Sequence, residues 1–188
     1  MTTQEKPILL FNTLYLTSFA LYAVLQKNYE FIFYVSIVLF FIILIVVKNK
    51  KIGLSPRVLW GLSAWGLLHM MGGTIPVHDS VLYNLQLIPV LLKYDQFVHA
   101  FGFGTTTIVG YQLLRPYLKT DLNWTTLSLL LILIGLGAGA MNEILEFIAT
   151  VIIPETNVGG YVNTSLDLVF NLIGATIAGL WLKKTHAR

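Results

Sequence analysis

Long apolar blocks separated by short polar breaks run the length of the chain. Six such blocks stand out, at residues 7–26, 31–47, 58–77, 94–114, 124–153 and 163–182. Within them the apolar residues follow neither a two-residue nor a three- to four-residue rhythm, so no single face is marked out for a buried core. Blocks of about 20 such residues match the thickness of a lipid hydrocarbon layer. Backbone amides in that layer must be satisfied internally, which requires helices. The pattern predicts an all-α integral membrane protein with six transmembrane helices in one domain covering residues 1–188.

Composition sharpens this reading. The chain is 56% hydrophobic and 11% charged, where a soluble domain carries about 25% charged residues. There are too few charges to coat a water-facing surface. No cysteine is present, which excludes disulfides, thiolate metal sites and cysteine nucleophiles. No basic run points to nucleic acid, and nothing in the composition sets an oligomeric state. The tripeptide Ser18-Phe19-Ala20 is a weak match to a signal-peptide cleavage site, but the apolar run continues past it.

Charge placement sets an expected orientation. Lys6, Lys48, Lys50, Lys51, Arg57, Arg115, Lys119, Lys183, Lys184 and Arg188 fall on one side of the six-span threading, and only Lys27 and Lys93 on the other. The positive-inside rule then places both termini in the cytoplasm and the chain in the cytoplasmic (inner) membrane as a multipass protein. Residues 78–93 read as an interfacial or re-entrant helix interrupted by Pro89. The glycine-containing stretch 154–162 reads as a mobile connector.

The first two blocks hold no ionisable group in their interiors beyond tyrosines and look like scaffold. The other four carry His69, Asp95, His99, Glu143, Glu146 and Asp167, with Asn142, Asn163 and Asn171 alongside. Alternate threading puts all of these in the outer half of the membrane. Glu143 and Glu146 come about 10–15 Å below the outer end of their span, at about 1.5 Å per residue. Helical spacing places Asp95, His99, Gly102 and Thr106 on one stripe, Gly135, Gly139, Glu143 and Glu146 on a second, and Asp167, Asn171, Gly174 and Ala178 on a third. Each stripe is polar toward the outside and small toward the inside, so helices three to six are expected to form a polar-centred four-helix core.

The motifs Tyr94-Asp95-x-x-x-His99-x-x-Gly102, Asn142-Glu143-x-x-Glu146-Phe147 and Asp167-x-x-x-Asn171-x-x-Gly174 resemble the spaced motifs of VanZ-like membrane proteins. With His69-x-x-Gly72-Gly73 added, the chain is similar to the YjdF group of bacterial inner-membrane proteins. Glu146 stands where the VanZ-like pattern has glutamine, and Phe147 where the YjdF-like pattern has tryptophan. The resemblance implies a multipass membrane protein, with glycopeptide-antibiotic tolerance as the role of some VanZ-like members.

Charge inside a membrane costs several kcal/mol per group, so intramembrane acids usually have a purpose. Three function classes follow. In the first, His69, Asp95, His99 and Asp167 bind a divalent metal, Zn²⁺ or Mn²⁺, as the mixed N/O donor set suits. Glu143 and Glu146 then act catalytically in a hydrolase or transferase working on a membrane lipid or lipid-linked envelope precursor, with Asn142, Asn163 and Asn171 as further polar site residues. In the second, the same cluster binds a cation or amphipathic ligand without chemistry. In the third, it is assembly glue in a structural membrane subunit.

Overall fold

The computed structural model describes residues 3–119, 121 and 123–186. Arg188, part of the charge asymmetry above, lies outside the described residues. Six α-helices dominate: α1 (Glu5–Leu25), α2 (Tyr29–Ile52), α3 (Pro56–Thr74), α4 (Tyr94–Leu114), α5 (Trp124–Ile152) and α6 (Tyr161–His186). Four of them, α1, α2, α5 and α6, are long and apolar enough to cross a membrane. Their outward faces carry Leu14, Phe40, Leu133, Val151 and Ile177, all exposed. Apolar surface on this scale marks a lipid or protein contact rather than a water-facing wall. The helices α3 and α4 fall short of that apolarity because they carry Arg57, Ser63 and His69, and Asp95, Gln96, His99 and three threonines.

Local chemistry sets the helix ends. The Asn28 side chain accepts from Phe31 N at 3.0 Å and starts α2, and Asn123 accepts from Thr125 N and Thr126 N to start α5. Each cap satisfies donors that a helix start leaves open. Gly53, at φ 71°, closes α2, and Pro56 sits in the first turn of α3, the usual asymmetry of stop and start. Helix α2 runs five residues past its apolar block, to Ile52, because Lys48, Lys50 and Lys51 are good helix formers and suit a C-terminal turn.

The segment 78–93 departs from the expected interfacial helix. It forms two antiparallel hairpins, β1 (Pro76–Val77) with β2 (Ser80–Val81), and β3 (Gln86–Ile88) with β4 (Leu92–Lys93), joined through a 3₁₀ turn at Leu82–Asn84. His78 and Val90 adopt positive φ in the two turns. Pro89 lacks the donor that a helix through this segment would need.

Successive helices run antiparallel. At one end of the bundle lie the start of α2, the end of α3, the start of α4, the end of α5 and the start of α6. Contacts between Glu30 and Asn157, Tyr94 and Leu68, and Asn163 and Asp95 tie these together. At the other end Glu5 accepts from Asn49 at 2.8 Å, Ser55 and Gln112 bond reciprocally, and His186 stacks on Trp124.

The closest packing is between α4 and α6. A Cβ at Gly174 would strike the Ala100 carbonyl oxygen, and one at Gly104 would lie 3.1 Å from the Gly174 oxygen. Helix α5 seats on this pair through Gly135, against Ala175 and Phe103, and through Gly139, against Asn171. Small residues of this kind let membrane helices approach closely. On the other flank Asn12 of α1 donates to Ser63 Oγ of α3 at 2.8 Å. There Phe31, Tyr34 and Val35 of α2 cluster with Met70 of α3 and Ala149 of α5.

Candidate metal centre

The α4–α6 approach brings three helix faces together one to two turns from the glycine contacts. His99 of α4 lies at the centre and is almost fully buried. Its Nδ1 bonds Asn171 Oδ1 of α6 at 3.0 Å. A carbonyl oxygen only accepts, so Nδ1 carries the hydrogen and Nε2 keeps the lone pair. Nε2 stands 3.6 Å from Asp95 Oδ1 and 4.0 Å from Glu146 Oε1. Glu143 Oε1 lies on the other side of the ring, 3.5 Å from Nδ1.

Two amides hold the acids in place. Asn163 donates to Asp167 Oδ2 at 2.6 Å and to Asp95 Oδ2 at 3.3 Å, which leaves the Oδ1 atoms of both aspartates turned elsewhere. Asn142 donates to Glu146 Oε1 at 2.7 Å. Both oxygens of Glu143 and Asp167 Oδ1 are buried with no hydrogen-bond partner among the described residues. Buried polar atoms of native proteins nearly always have a partner, and exceptions mark a ligand, ion or catalytic role.

Ligand spacing agrees with a cation. Asp95, His99 and Asp167 each offer an atom within 4.8 Å of the others, as do His99, Glu143 and Glu146. Donors about 2.0–2.2 Å from a tetrahedral Zn²⁺ stand roughly 3.3–3.6 Å apart, close to the 3.6 Å between His99 Nε2 and Asp95 Oδ1. An imidazole with carboxylates is a donor set that Zn²⁺ and Mn²⁺ both accept. The residues therefore fit a divalent metal.

His69 stands apart from these groups. Its Nδ1 meets the Tyr83 hydroxyl, which also donates to the His69 carbonyl at 2.9 Å. Its ring packs edge-on against Tyr34, with centroids 5.3 Å apart. Burial pushes the Tyr83 phenol well above its ordinary pKa, and the charges of Asp95 and Glu146 add to the shift, so Tyr83 stays a neutral donor. Asp95 and Asp167 thus group with His99 on one hand, and Glu143 and Glu146 with the same His99 on the other, Asn163, Asn142 and Asn171 bonding members of these groups, while His69 has a separate partner.

A family described as predicted membrane protein (DUF2238) matches residues 7–188. The chain belongs to that family. An uncharacterized protein of Thermotoga maritima is 28% identical over 124 residues, which is 63% of this chain and 63% of that protein's length. No solved structure matches the chain. Every residue of the centre lies inside the range matched to DUF2238.

Two residues of this DUF2238 chain also reach the site end: Tyr34, from a block expected to be scaffold, and Glu30, which lies just before that block. Glu30, in the first turn of α2, is buried and accepts from Asn157 N at 2.8 Å and Asn157 Nδ2 at 3.2 Å. Tyr34 lies one turn further along the same face. The signal was present in the sequence: an acid and a tyrosine four residues apart share a helix face. A position near a helix end, however, reads as solvated until the neighbouring segment is seen to cover it.

Proposed function

We propose that this protein is a six-span inner-membrane protein with both termini in the cytoplasm, whose outer-half centre binds one divalent cation and supports metal-assisted hydrolysis or group transfer on a lipid or lipid-linked envelope precursor. The observation that carries the reading is the set of buried carboxylate oxygens, Glu143 Oε1, Glu143 Oε2 and Asp167 Oδ1, that lack hydrogen-bond partners around His99. The charge asymmetry of the loops supports the orientation. Helices α3 and α4 have 19 and 21 residues, enough to cross at about 1.5 Å per residue, and their Ser63, Gln96, His99 and Thr107 are buried in protein. The spaced motifs of α4, α5 and α6 support a kinship with VanZ-like and YjdF-like membrane proteins as part of this reading.

Asp95, His99 Nε2, Asp167 and Glu146 would hold the cation, and Asn163 and Asn142 would orient their carboxylates. Asn171 fixes the His99 tautomer, the part that partners of metal-binding histidines usually play. A bound Zn²⁺ or Mn²⁺ supplies Lewis acidity toward a water or substrate oxygen. Glu143, with Oε1 3.5 Å from Nδ1 on that side of the ring, is placed to take up a proton as general base. A through-pathway is disfavoured because α4, α5 and α6 close tightly past Gly104, Gly135 and Gly174.

The test is metal analysis of protein purified in mild detergent. We expect about one Zn²⁺ or Mn²⁺ per chain, its loss in Asp167→Asn and His99→Ala, and its retention in Glu143→Gln. A folded wild type that takes up neither metal would refute the proposal. A C-terminal reporter found outside the cell would refute the orientation.

A further inference from the structure

Tyr34 is a buried group for which neither the fold nor the proposed chemistry accounts. It is 7% exposed, and its hydroxyl has no hydrogen-bond partner among the described residues. Two other tyrosines at this end of the bundle differ: Tyr83 bonds His69, and Tyr94 donates to the Leu68 carbonyl at 3.0 Å. The ring is held firmly, 5.3 Å from His69, 5.7 Å from Phe31 and 5.6 Å from Phe33. A loose side chain therefore does not explain the missing partner.

The surroundings of the hydroxyl point to what it faces. The acids on the elements packed around it are Glu30, one turn back on α2, and Glu146, about one turn back on α5 from Ala149, which packs in the same cluster as Tyr34. None of them is within hydrogen-bond distance. A buried donor without an acceptor thus shares one interior with the buried Glu143 oxygens, acceptors without a donor. One bound molecule lying between α2 and the α4–α5 acids would satisfy both sides.

We infer that Tyr34 is the ligand-contacting donor of the site, giving its phenol hydrogen to a carbonyl or phosphoryl oxygen of a molecule bound against the cation. The inference rests on the proposed cation centre. It assigns α2 a share in recognition and limits the ligand to one that offers an oxygen acceptor on the side facing α2. The neutral phenol suits this part, because a second cationic donor would compete with the metal for the same carboxylates.

The test uses Co²⁺ as the metal and acetohydroxamate as the oxygen ligand. Wild type, Tyr34→Phe, and protein carrying 3,5-difluorotyrosine at position 34 are loaded with Co²⁺ in mild detergent and titrated with acetohydroxamate, reading the visible d–d bands. We expect equal Co²⁺ uptake in all three. The acetohydroxamate Kd should rise about tenfold in Tyr34→Phe, as for one lost hydrogen bond. It should fall with difluorotyrosine, whose hydroxyl donates more strongly and whose ring keeps the fold should the phenylalanine variant misfold. Equal affinities in all three, or no acetohydroxamate binding to Co²⁺-loaded wild type, would overturn the role of Tyr34 and leave the cation centre standing. Failure of wild type to bind Co²⁺ would overturn both.

Discussion

Replacing Gly174 with alanine puts a methyl group against the backbone carbonyl of Ala100, at the tightest point between α4 and α6. That oxygen belongs to a helix and cannot rotate away as a side chain would. Overpacking of a filled interior costs about 1–3 kcal/mol, and a backbone obstacle belongs at the upper end. The greater helix propensity of alanine offsets about 0.8–1 kcal/mol of it. The net expectation is a loss of about 2 kcal/mol, roughly a 30-fold shift toward the unfolded state at 1.36 kcal/mol per factor of ten.

For a domain of this size, about 2 kcal/mol lowers Tm by roughly 4–8 °C. Gly137 is the internal control, because a Cβ there meets nothing within 4 Å. The same substitution at Gly137 should therefore leave Tm unchanged or raise it by about 2–4 °C. Thermal unfolding of both variants in one mild detergent decides the matter. The Gly174 variant should also lose cation affinity, since the same approach sets the 3.0 Å contact between His99 and Asn171 one turn away. Equal Tm shifts in the two variants, or a wild-type Tm for Gly174→Ala, would refute the argument that this contact holds the site together.

Two further outcomes follow from the geometry. Asn171→Ala should weaken Mn²⁺ or Zn²⁺ binding about 10- to 100-fold, the usual effect of removing the partner of a metal-binding histidine; an unchanged titration would remove Asn171 from the centre. Asn12→Leu should cost little, about 0.6 kcal/mol as for an average interhelical hydrogen bond in a membrane, because the Asn12 Oδ1 already lacks a partner. A Tm fall of more than about 5 °C would show that the link to Ser63 matters more than this average allows.

Much of the candidate site was legible in the sequence. Helical spacing put Asp95 with His99, Glu143 with Gly139, and Asp167 with Asn171, and these faces do meet. The residues it left out share a feature. Glu30 and Tyr34 belong to the most apolar helix, where a single acid near one end looks like an ordinary interfacial charge. Tyr83 sits in a segment whose leucine content resembled a helix, while Pro89 and the turn at His78 direct hairpins instead. His69 has the composition of a ligand, yet its Nδ1 is engaged by that same Tyr83. Each depends on a partner distant in the chain, and periodicity within one helix carries no information about such partners.

The sequence alone determined the solvent and the classes of contact. Apolar blocks with so few charges demand lipid and therefore helices, and the order of the blocks brings the polar stripes to a common level. The tertiary structure decided which side of the His99 ring each acid occupies, which oxygens the asparagines engage, and that α2 reaches this end of the bundle. These follow from how far each helix is rotated and slid against its neighbours. Close contacts at Gly104, Gly135, Gly139 and Gly174 set those freedoms.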